Sequence, residues 1–412
     1  MKFEDFLFTR EGEDLFEKTR GLDKVLASGA MTGSEGLGVQ ILEKTGPYVQ
    51  IKEKSGCEHK VIMLGSNSYL NLTTNKKVCD AAIKAIEKYG YGMGAVSVYA
   101  GICDIHKELE KRIANFYNTE DAVLFPSGYG TNIGVISALC SKGDIIINDS
   151  ANHASIFDGS KLSGADVRVY PHNNMEALEH TLQKCEKKNR AKLIITDGVF
   201  SMYGDIARLD KICELAEKYN AKVMVDDAHG LGIVGATGRG SAQVYNIGDK
   251  IDLHVGMLSK TAGALGGYCA TTRKIAQYLR HYARSFFFST ALPAPVAAGL
   301  NEVFKLLEHD RAGRKELWEN INYLKSKLEK LGFNTGNSQS GIIPIIIGDE
   351  AILFKMYQDL RLSGVYTNIV TYPAVRRKDC RIRICVMKDL TRDMMDGAVE
   401  IIEKTGRKYG VI

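Results

Sequence analysis

Residues 223–260 carry an acid, a histidine and a lysine, each at or just past an apolar run. Residues 223–225 read as a buried parallel strand with Asp226 at its carboxyl end. Asp226-Asp227-Ala228-His229-Gly230 follows, and a second run over 251–258 delivers Ser259 and Lys260 to a similar edge. Open α/β sheets bind ligands at that edge. The three types together suit a pyridine cofactor held as an imine. The acid keeps the ring nitrogen protonated, the histidine reaches the ring hydroxyl, and the lysine forms the imine.

Each residue also has an ordinary reading. A lone Asp at a strand end is usually a cap or turn residue, and a lone Lys is usually solvated surface. A competing motif lies nearby, because Gly230-Leu231-Gly232-Ile233-Val234-Gly235 matches the dinucleotide fingerprint. That fingerprint should open a helix, whereas Ala236-Thr237-Gly238-Arg239-Gly240-Ser241 is too glycine-rich to start one. These glycines therefore read as loop punctuation. A nicotinamide dehydrogenase would explain a βα sheet with glycine loops, but not Asp226, His229 and Lys260 together.

The elements that must position these residues alternate strand and helix. Residues 122–125 form a strand, and Pro126-Ser127-Gly128-Tyr129-Gly130-Thr131-Asn132 turns into a helix. That geometry either offers free backbone N–H groups to a phosphate or is a plain βα turn. Further strands are expected at 61–64, 144–148, 167–170, 192–196 and 266–272, with helices at 76–89, 175–187, 209–219 and 273–284. Asp104 is the expected cap of another helix. Such alternation implies a mostly parallel, two-faced sheet, hence an α/β fold. After residue 293 the pattern changes to a smaller α+β unit with strands at 342–347, 365–368 and 380–386. The expected division is an N-terminal arm (1–60), a large cofactor-binding domain (61–292) and a small C-terminal domain (293–412).

Composition narrows the class. With 412 residues the chain can bury a large core, and 45% hydrophobic with 25% charged residues is ordinary for a soluble enzyme. The net charge of +5 is scattered, which argues against nucleic-acid binding. No apolar run approaches membrane-spanning length. Met1-Lys2-Phe3-Glu4-Asp5 carries acids and lacks the basic and apolar regions of a secretory leader. Nine cysteines without a C-x-x-C pair argue against a metal site or disulfide framework and for a reducing cytoplasm.

Taken in order, the motifs resemble the α-oxoamine synthases, pyridoxal-phosphate enzymes of the aspartate-aminotransferase fold (fold type I). The resemblance runs from about residue 64 to 384 and rests on eight stretches. They are Ser66-Asn67-Ser68-Tyr69-Leu70, Asp104-Ile105-His106-Lys107-Glu108-Leu109-Glu110, Ser127-Gly128-Tyr129, Asn152-His153-Ala154-Ser155-Ile156, Asp197-Gly198-Val199-Phe200-Ser201-Met202, Asp226-Asp227-Ala228-His229-Gly230, Ser259-Lys260 and Arg381-Ile382-Arg383-Ile384. It implies Lys260 as the Schiff-base lysine, Asp226 as partner of the ring nitrogen and His153 on the ring face. His229 and Ser201 would contact the ring-hydroxyl side. Gly128 and Tyr129 would hold the phosphate, and Asn67 and Arg383 the substrate carboxylate. Ser289 and Thr290 would reach the phosphate of a neighbouring subunit, implying a homodimer with shared sites.

The implied reaction is condensation of a small amino acid with an acyl-CoA, usually with loss of CO2. Three departures bear on it. Met257 stands where the family usually has threonine, a phosphate contact that Ser259 could replace. Ser97 stands in the glycine-rich loop where a basic residue is common. Val386-Met387-Lys388-Asp389-Leu390-Thr391 replaces the usual small-residue and His-Thr stretch. Val96 and Val98 fit an apolar acyl chain better than a charged terminus, unless they simply pack as core. The serine palmitoyltransferase-like and 8-amino-7-oxononanoate synthase-like branches fit that reading. Thr371-Tyr372-Pro373 leans instead toward the 2-amino-3-ketobutyrate CoA ligases, which transfer acetyl to glycine.

Overall fold

The computed structural model describes residues 11–27, 39–186 and 190–412, beginning with helix Glu17–Ala27. The leader reading of Met1 to Asp5 lies outside those residues. β1 (Gln40–Ile41) pairs antiparallel with β2 (Tyr48–Lys52), which pairs with β3 (Glu58–Met63).

The βα alternation then builds a seven-stranded sheet from β4 (Asp121–Phe125), β5 (Ile145–Asp149), β6 (Asp166–Tyr170), β7 (Lys192–Asp197), β8 (Lys222–Asp226), β9 (Leu253–Met257) and β10 (Gly267–Thr271). Its order is β4-β10-β9-β8-β7-β5-β6. Every pairing from β9 to β6 is parallel, and β10 alone runs antiparallel to both neighbours. β5, β9 and β10 are buried at all five positions, the burial expected of strands covered by helices on both faces. One packed cluster, including Val123, Phe125, Ile136, Met224 and Val255, lies under one face, and another, with Ile147, Leu178, Ile212 and Val225, under the other.

Beyond helices Ala294–His309 and Arg311–Lys330, a three-stranded antiparallel sheet has order β11-β14-β13. Its strands are β11 (Ile342–Ile346), β13 (Asn368–Val370) and β14 (Arg381–Cys385), while β12 (Val365–Tyr366) instead adds in parallel to β3. This pairing ties the N-terminal strands to the C-terminal third, a contact that the local sequence pattern does not reveal.

Helix Asp104–Tyr117 differs from expectation at its start. Asp104 is its first residue, and Cys103 takes the cap position. The His106 ring turns back to accept the Cys103 N–H at 3.2 Å, so the helix begins one residue early. The freed Asp104 carboxylate binds Lys88 and Tyr89 instead.

No helix of the described residues is long and apolar enough to cross a membrane. Among the described residues the nine cysteines are free, and no group of three or more metal-ligating side chains gathers.

Candidate active site

At the carboxyl ends of β7, β8 and β9 the chain encloses a cavity of about 250 Å³. Its lining brings together Ser127, Gly128, Tyr129, His153, Ser201, Asp226, His229, Ser259 and Lys260. Three larger hollows, about 510, 540 and 440 Å³, lie elsewhere among the described residues and share no lining residue with this one. The chemistry is concentrated in the smaller one.

Asp226 closes β8 and is only 3% exposed. Its Oδ2 accepts from the Asn132 amide at 2.7 Å, and its Oδ1 from the Ala228 N–H at 3.1 Å. Asn132 lies one turn into helix Gly128–Leu139 and donates also to Ser155 Oγ. The sequence reading missed its role, although Asn132 closed the turn motif it singled out. Asp197, at the end of β7, sits opposite Asp226 in register and is also buried. Burial raises both carboxyls above their usual range, and for Asp197 the Asp226 charge adds to it.

Two carboxyls buried side by side either keep a proton or gain from a nearby cation. Asp197 Oδ1 has no hydrogen-bond partner, and its amide N–H is taken by Asn152. A protonated ring nitrogen reaching Asp226 supplies such a cation, so the acid set fits a pyridine cofactor. Ser127 caps helix Gly128–Leu139 through the Gly130 N–H at 3.0 Å. The first N–H groups of any helix lack intrahelical partners and favour an anion, so this end fits a phosphate.

Met257 lines the same cup and is nearly buried. Its thioether lies so close to Gly128 that a side chain there would collide with it. The space near the helix end is thus shaped by a sulfur that donates no hydrogen bond. Exposed Ser259 is the hydroxyl residue of the lining nearest in sequence.

His229 bridges two partners, with Nδ1 2.9 Å from Tyr69 Oη and Nε2 2.8 Å from Lys260 Nζ. Burial holds the His229 ring well below its usual pKa, helped by the Lys260 charge. Burial also lowers the Lys260 ammonium, and the Arg383 charge lowers it further. Two proton arrangements satisfy these contacts: Tyr69 donating to Nδ1 with the other ring N–H toward Nζ, or the ring donating to Tyr69 with Nε2 accepting from Nζ. The lowered ammonium pKa brings Lys260 closer to the free-amine form, which can attack or take a proton, than a solvated lysine. Tyr69 was part of a recognised motif, but its bond to His229 spans 160 residues and has no local signal.

Arg383 and Asn67 are not among the cavity-lining residues; Arg383, 6% exposed, lies behind the lining residue Ser201. Its Nε donates to the Ser201 carbonyl at 2.6 Å, and its two terminal nitrogens donate to Asn67 Oδ1 at 3.3 and 3.2 Å. Cys385 Sγ donates to the same oxygen. These donors fix the Asn67 carboxamide so that its NH2 points away from them. His153 bonds Ser155 Oγ, and its ring meets Tyr129 edge-on with centroids 6.3 Å apart. Burial lowers its pKa.

Asp227, adjacent to Asp226, does something different. Its Oδ2 accepts Ser241 N at 2.6 Å and Ser241 Oγ at 3.0 Å, while Gly198, Gly230 and Gly240 crowd its carboxyl too closely to carry side chains. Burial raises it to about 7. Asp227 therefore staples the 230–241 loop. The glycines of the apparent dinucleotide fingerprint form that loop, as expected, and open no helix.

Ser289 and Thr290 do not line this cavity. Thr290 instead forms an antiparallel bridge with Val96 of the glycine-rich loop. Val98 packs against the cluster under the sheet, so neither valine lines the cavity of its own chain.

A family model described as aminotransferase class I and II matches residues 59–402. The 8-amino-7-oxononanoate synthase of Thermoanaerobacter pseudethanolicus is 45% identical over 353 residues, covering 86% of this chain and 89% of that protein. The 8-amino-7-oxononanoate synthase 1 of Bacillus subtilis is 43% identical over 373 residues, covering 90% and 94%. Among solved structures, a serine palmitoyltransferase from Sphingomonas wittichii superimposes with a TM-score of 0.91 at 31% identity, covering 97% of this chain and 100% of that one.

Proposed function

Because the chain belongs to the aminotransferase class I and II family, and within it to the α-oxoamine synthases, we propose that it condenses alanine with a seven-carbon, carboxylate-ended acyl-CoA. It is a pyridoxal-phosphate-dependent acyltransferase of fold type I. The substrate pair follows from the relatives' name: 8-amino-7-oxononanoate is an alanine-derived aminoethyl end joined through a ketone to a chain ending in a carboxylate.

The observation that carries the reaction class is the Lys260–His229 pair in one cavity with buried Asp226, with the Arg383–Asn67 pair bound to the carbonyl of the lining residue Ser201. When bound, pyridoxal phosphate supplies a covalent anchor for an amino group and a ring that takes up the electron pair released at the amino acid's α-carbon. Lys260 would carry it, Asp226 would pair with its ring nitrogen, and His153 would lie on its face. His229 and Ser201 would border the hydroxyl side, with Gly128, Tyr129 and Ser259 at the phosphate. Arg383 and Asn67 hold the amino acid's carboxylate, a task suited to the guanidinium fork. The freed Lys260 amine, its pKa lowered by burial and by the Arg383 charge, takes the α-proton. A carbon–carbon bond then forms between that carbon and the acyl carbon as the CoA thiol leaves. The carboxylate departs as CO2, and a proton returned to the α-carbon leaves the aminoketone.

We also read the chain as a homodimer in the cytoplasm, organised as an arm (1–60), a cofactor-binding domain (61–292) and a small domain (293–412). Ser289 and Thr290, which do not line their own cavity, would then complete the partner's phosphate site. Exposed Tyr91 (89%), Tyr99 (82%) and Phe288 (67%) flank that segment and suit burial against a second copy. Unpaired cysteines suit a reducing compartment. Light scattering is expected to give twice the 45.4 kDa chain mass, and a monomer with full activity refutes the shared site.

The substrate test is CoA release with acetyl-, succinyl-, pimeloyl- and palmitoyl-CoA, each against glycine, alanine and serine. Pimeloyl-CoA with alanine is expected to give the highest kcat/KM. Its three extra methylenes over succinyl-CoA, at about 0.8 kcal/mol each, allow an advantage of up to roughly fifty-fold. Palmitoyl-CoA with serine as the best pair moves the enzyme to the serine palmitoyltransferase branch, and acetyl-CoA with glycine to the ketobutyrate ligases.

A further inference from the structure

Outside the cavity lies a second acid–base cluster that the reaction does not use. His172, just past β6, places Nδ1 3.1 Å from Asp149 Oδ1 and Nε2 3.0 Å from Asp205 Oδ2. Both ring nitrogens face carboxylates, and a ring donates from both only as the imidazolium. The adjacent Asn173 repeats the bridge, with its N–H to Asp149 Oδ2 at 2.8 Å and its amide to Asp205 Oδ2 at 2.9 Å. The His172 ring also packs edge-on against Phe200 and lies tilted on Tyr203, with centroids 4.3 and 4.8 Å away.

Phe200, Tyr203 and Asp205 belong to one hairpin, closed by the Val199–Ile206 bridge and the Gly204 N–H to Phe200 carbonyl bond. The tip of that hairpin meets the three-stranded sheet. Its Ser201 carbonyl holds Arg383 Nε, its Met202 carbonyl holds Arg381, and the Arg381 guanidinium covers Tyr203 at 4.6 Å. Gly204 carbonyl accepts from Gln339 N and Ser340 Oγ. A chain of contacts thus runs from β5 through His172 and the hairpin to Arg383 beside the cavity-lining Ser201.

We propose that His172, as an imidazolium clasped between Asp149 and Asp205, is the positioning residue that fixes the 199–206 hairpin and, through the Ser201 carbonyl, the Arg383 guanidinium for carboxylate binding. This rests on the reading of Arg383 as the carboxylate contact. Burial alone would lower the His172 pKa, but the bonds to Asp149 and Asp205 outweigh it and raise it to about 9. A raised cation stabilises the fold fully below its unfolded value near 6.5, and that contribution is lost as pH rises through about 9. The titratable groups that meet the ring are Asp149 from β5 and Tyr203 and Asp205 from the hairpin; Tyr170 from β6 and Asp197 from β7 act on Asp149, and Arg381 from β14 lies over Tyr203.

The test uses propionate, a carboxylate with no amine to titrate, as competitive inhibitor against the amino acid in the holoenzyme. His172→Gln is expected to raise both the propionate Ki and the amino-acid KM about tenfold, with the acyl-CoA KM and bound cofactor unchanged. In the wild type the Ki should climb from pH 8 to pH 10, and the Gln variant should lack that step. A proportional change in both KM values, or an unchanged Ki in His172→Gln, overturns the clasp. Should His172→Gln fail to fold, Asp205→Asn and the wild-type pH profile decide the same question, since a wild-type Ki flat to pH 10 refutes the idea alone. Arg383→Ala runs in parallel. An unchanged Ki there removes the carboxylate reading and the clasp together, whereas an unchanged Ki in His172→Gln alone removes only the clasp.

Discussion

Lys260→Ala is expected to lose both the borohydride-fixed cofactor and turnover, the latter by roughly 10⁴-fold or more. Lys260 serves twice, as covalent anchor and as the base for the α-proton, and positioned acid–base groups alone contribute about 10²–10⁴. The structure presents this amine with its charge suppressed by burial and by Arg383, and with His229 Nε2 2.8 Å away. Wild-type protein treated with borohydride and digested should show the cofactor mass on the peptide containing Lys260. A variant that still carries the adduct would place the anchor on another lysine. A colourless wild type that binds a nicotinamide dinucleotide would remove the whole reading, though the 230–241 glycines form a loop stapled by Asp227 and not a helix-opening cradle.

The second large effect is expected at Asp226→Asn. The variant should retain cofactor, because the lysine and the helix Gly128–Leu139 terminus are untouched, yet exchange the amino acid's α-proton about 10²–10³-fold more slowly. An amide is neutral, so the ring nitrogen loses the charge that keeps it protonated, and removing one such preorganised electrostatic partner typically costs that much. Asn132 would remain, its amide now facing another amide in place of a carboxylate. The neighbouring Asp227→Asn provides the contrast. Its carboxyl binds only Ser241 among the described hydrogen bonds, so that change should lower stability and leave exchange near normal. Deuterium exchange into alanine, followed by NMR, separates the two. Equal exchange rates in wild type and Asp226→Asn would show that the acid at the end of β8 is not the ring partner.

Much of this site was legible in the chain. The Val-Met-Val run ending in Asp226, and the run over 251–258 ending at Lys260, are local patterns: continuous apolar residues mark a covered strand, and the following polar residue must fall at its end. The turn from β4 through Ser127 into a helix was visible for the same reason, since caps and small residues act on their immediate neighbours. The ordinary strand-end reading applied to Asp227, one residue along from the acid expected to act. Only its contacts with Ser241 and three glycines separate the two roles.

Sequence by itself determined the alternating βα order, the strand ends and hence which residues reach one edge of the sheet. It could not determine the sheet order, in which β10 inserts antiparallel between β4 and β9 and β12 leaves its neighbours to join β3. Nor could it show that Tyr69 orients His229, that Asn132 steadies Asp226, or that Asn67 meets Arg383 across 316 residues. Val98, read as an acyl contact or as core, is partly buried and packs against the core cluster. The reason is physical. Periodicity, capping and strand termini are fixed by interactions within a few residues, whereas pairing between distant segments depends on how the strands are ordered and which faces the crossovers cover, information that resides in the assembled sheet and in no single stretch of chain.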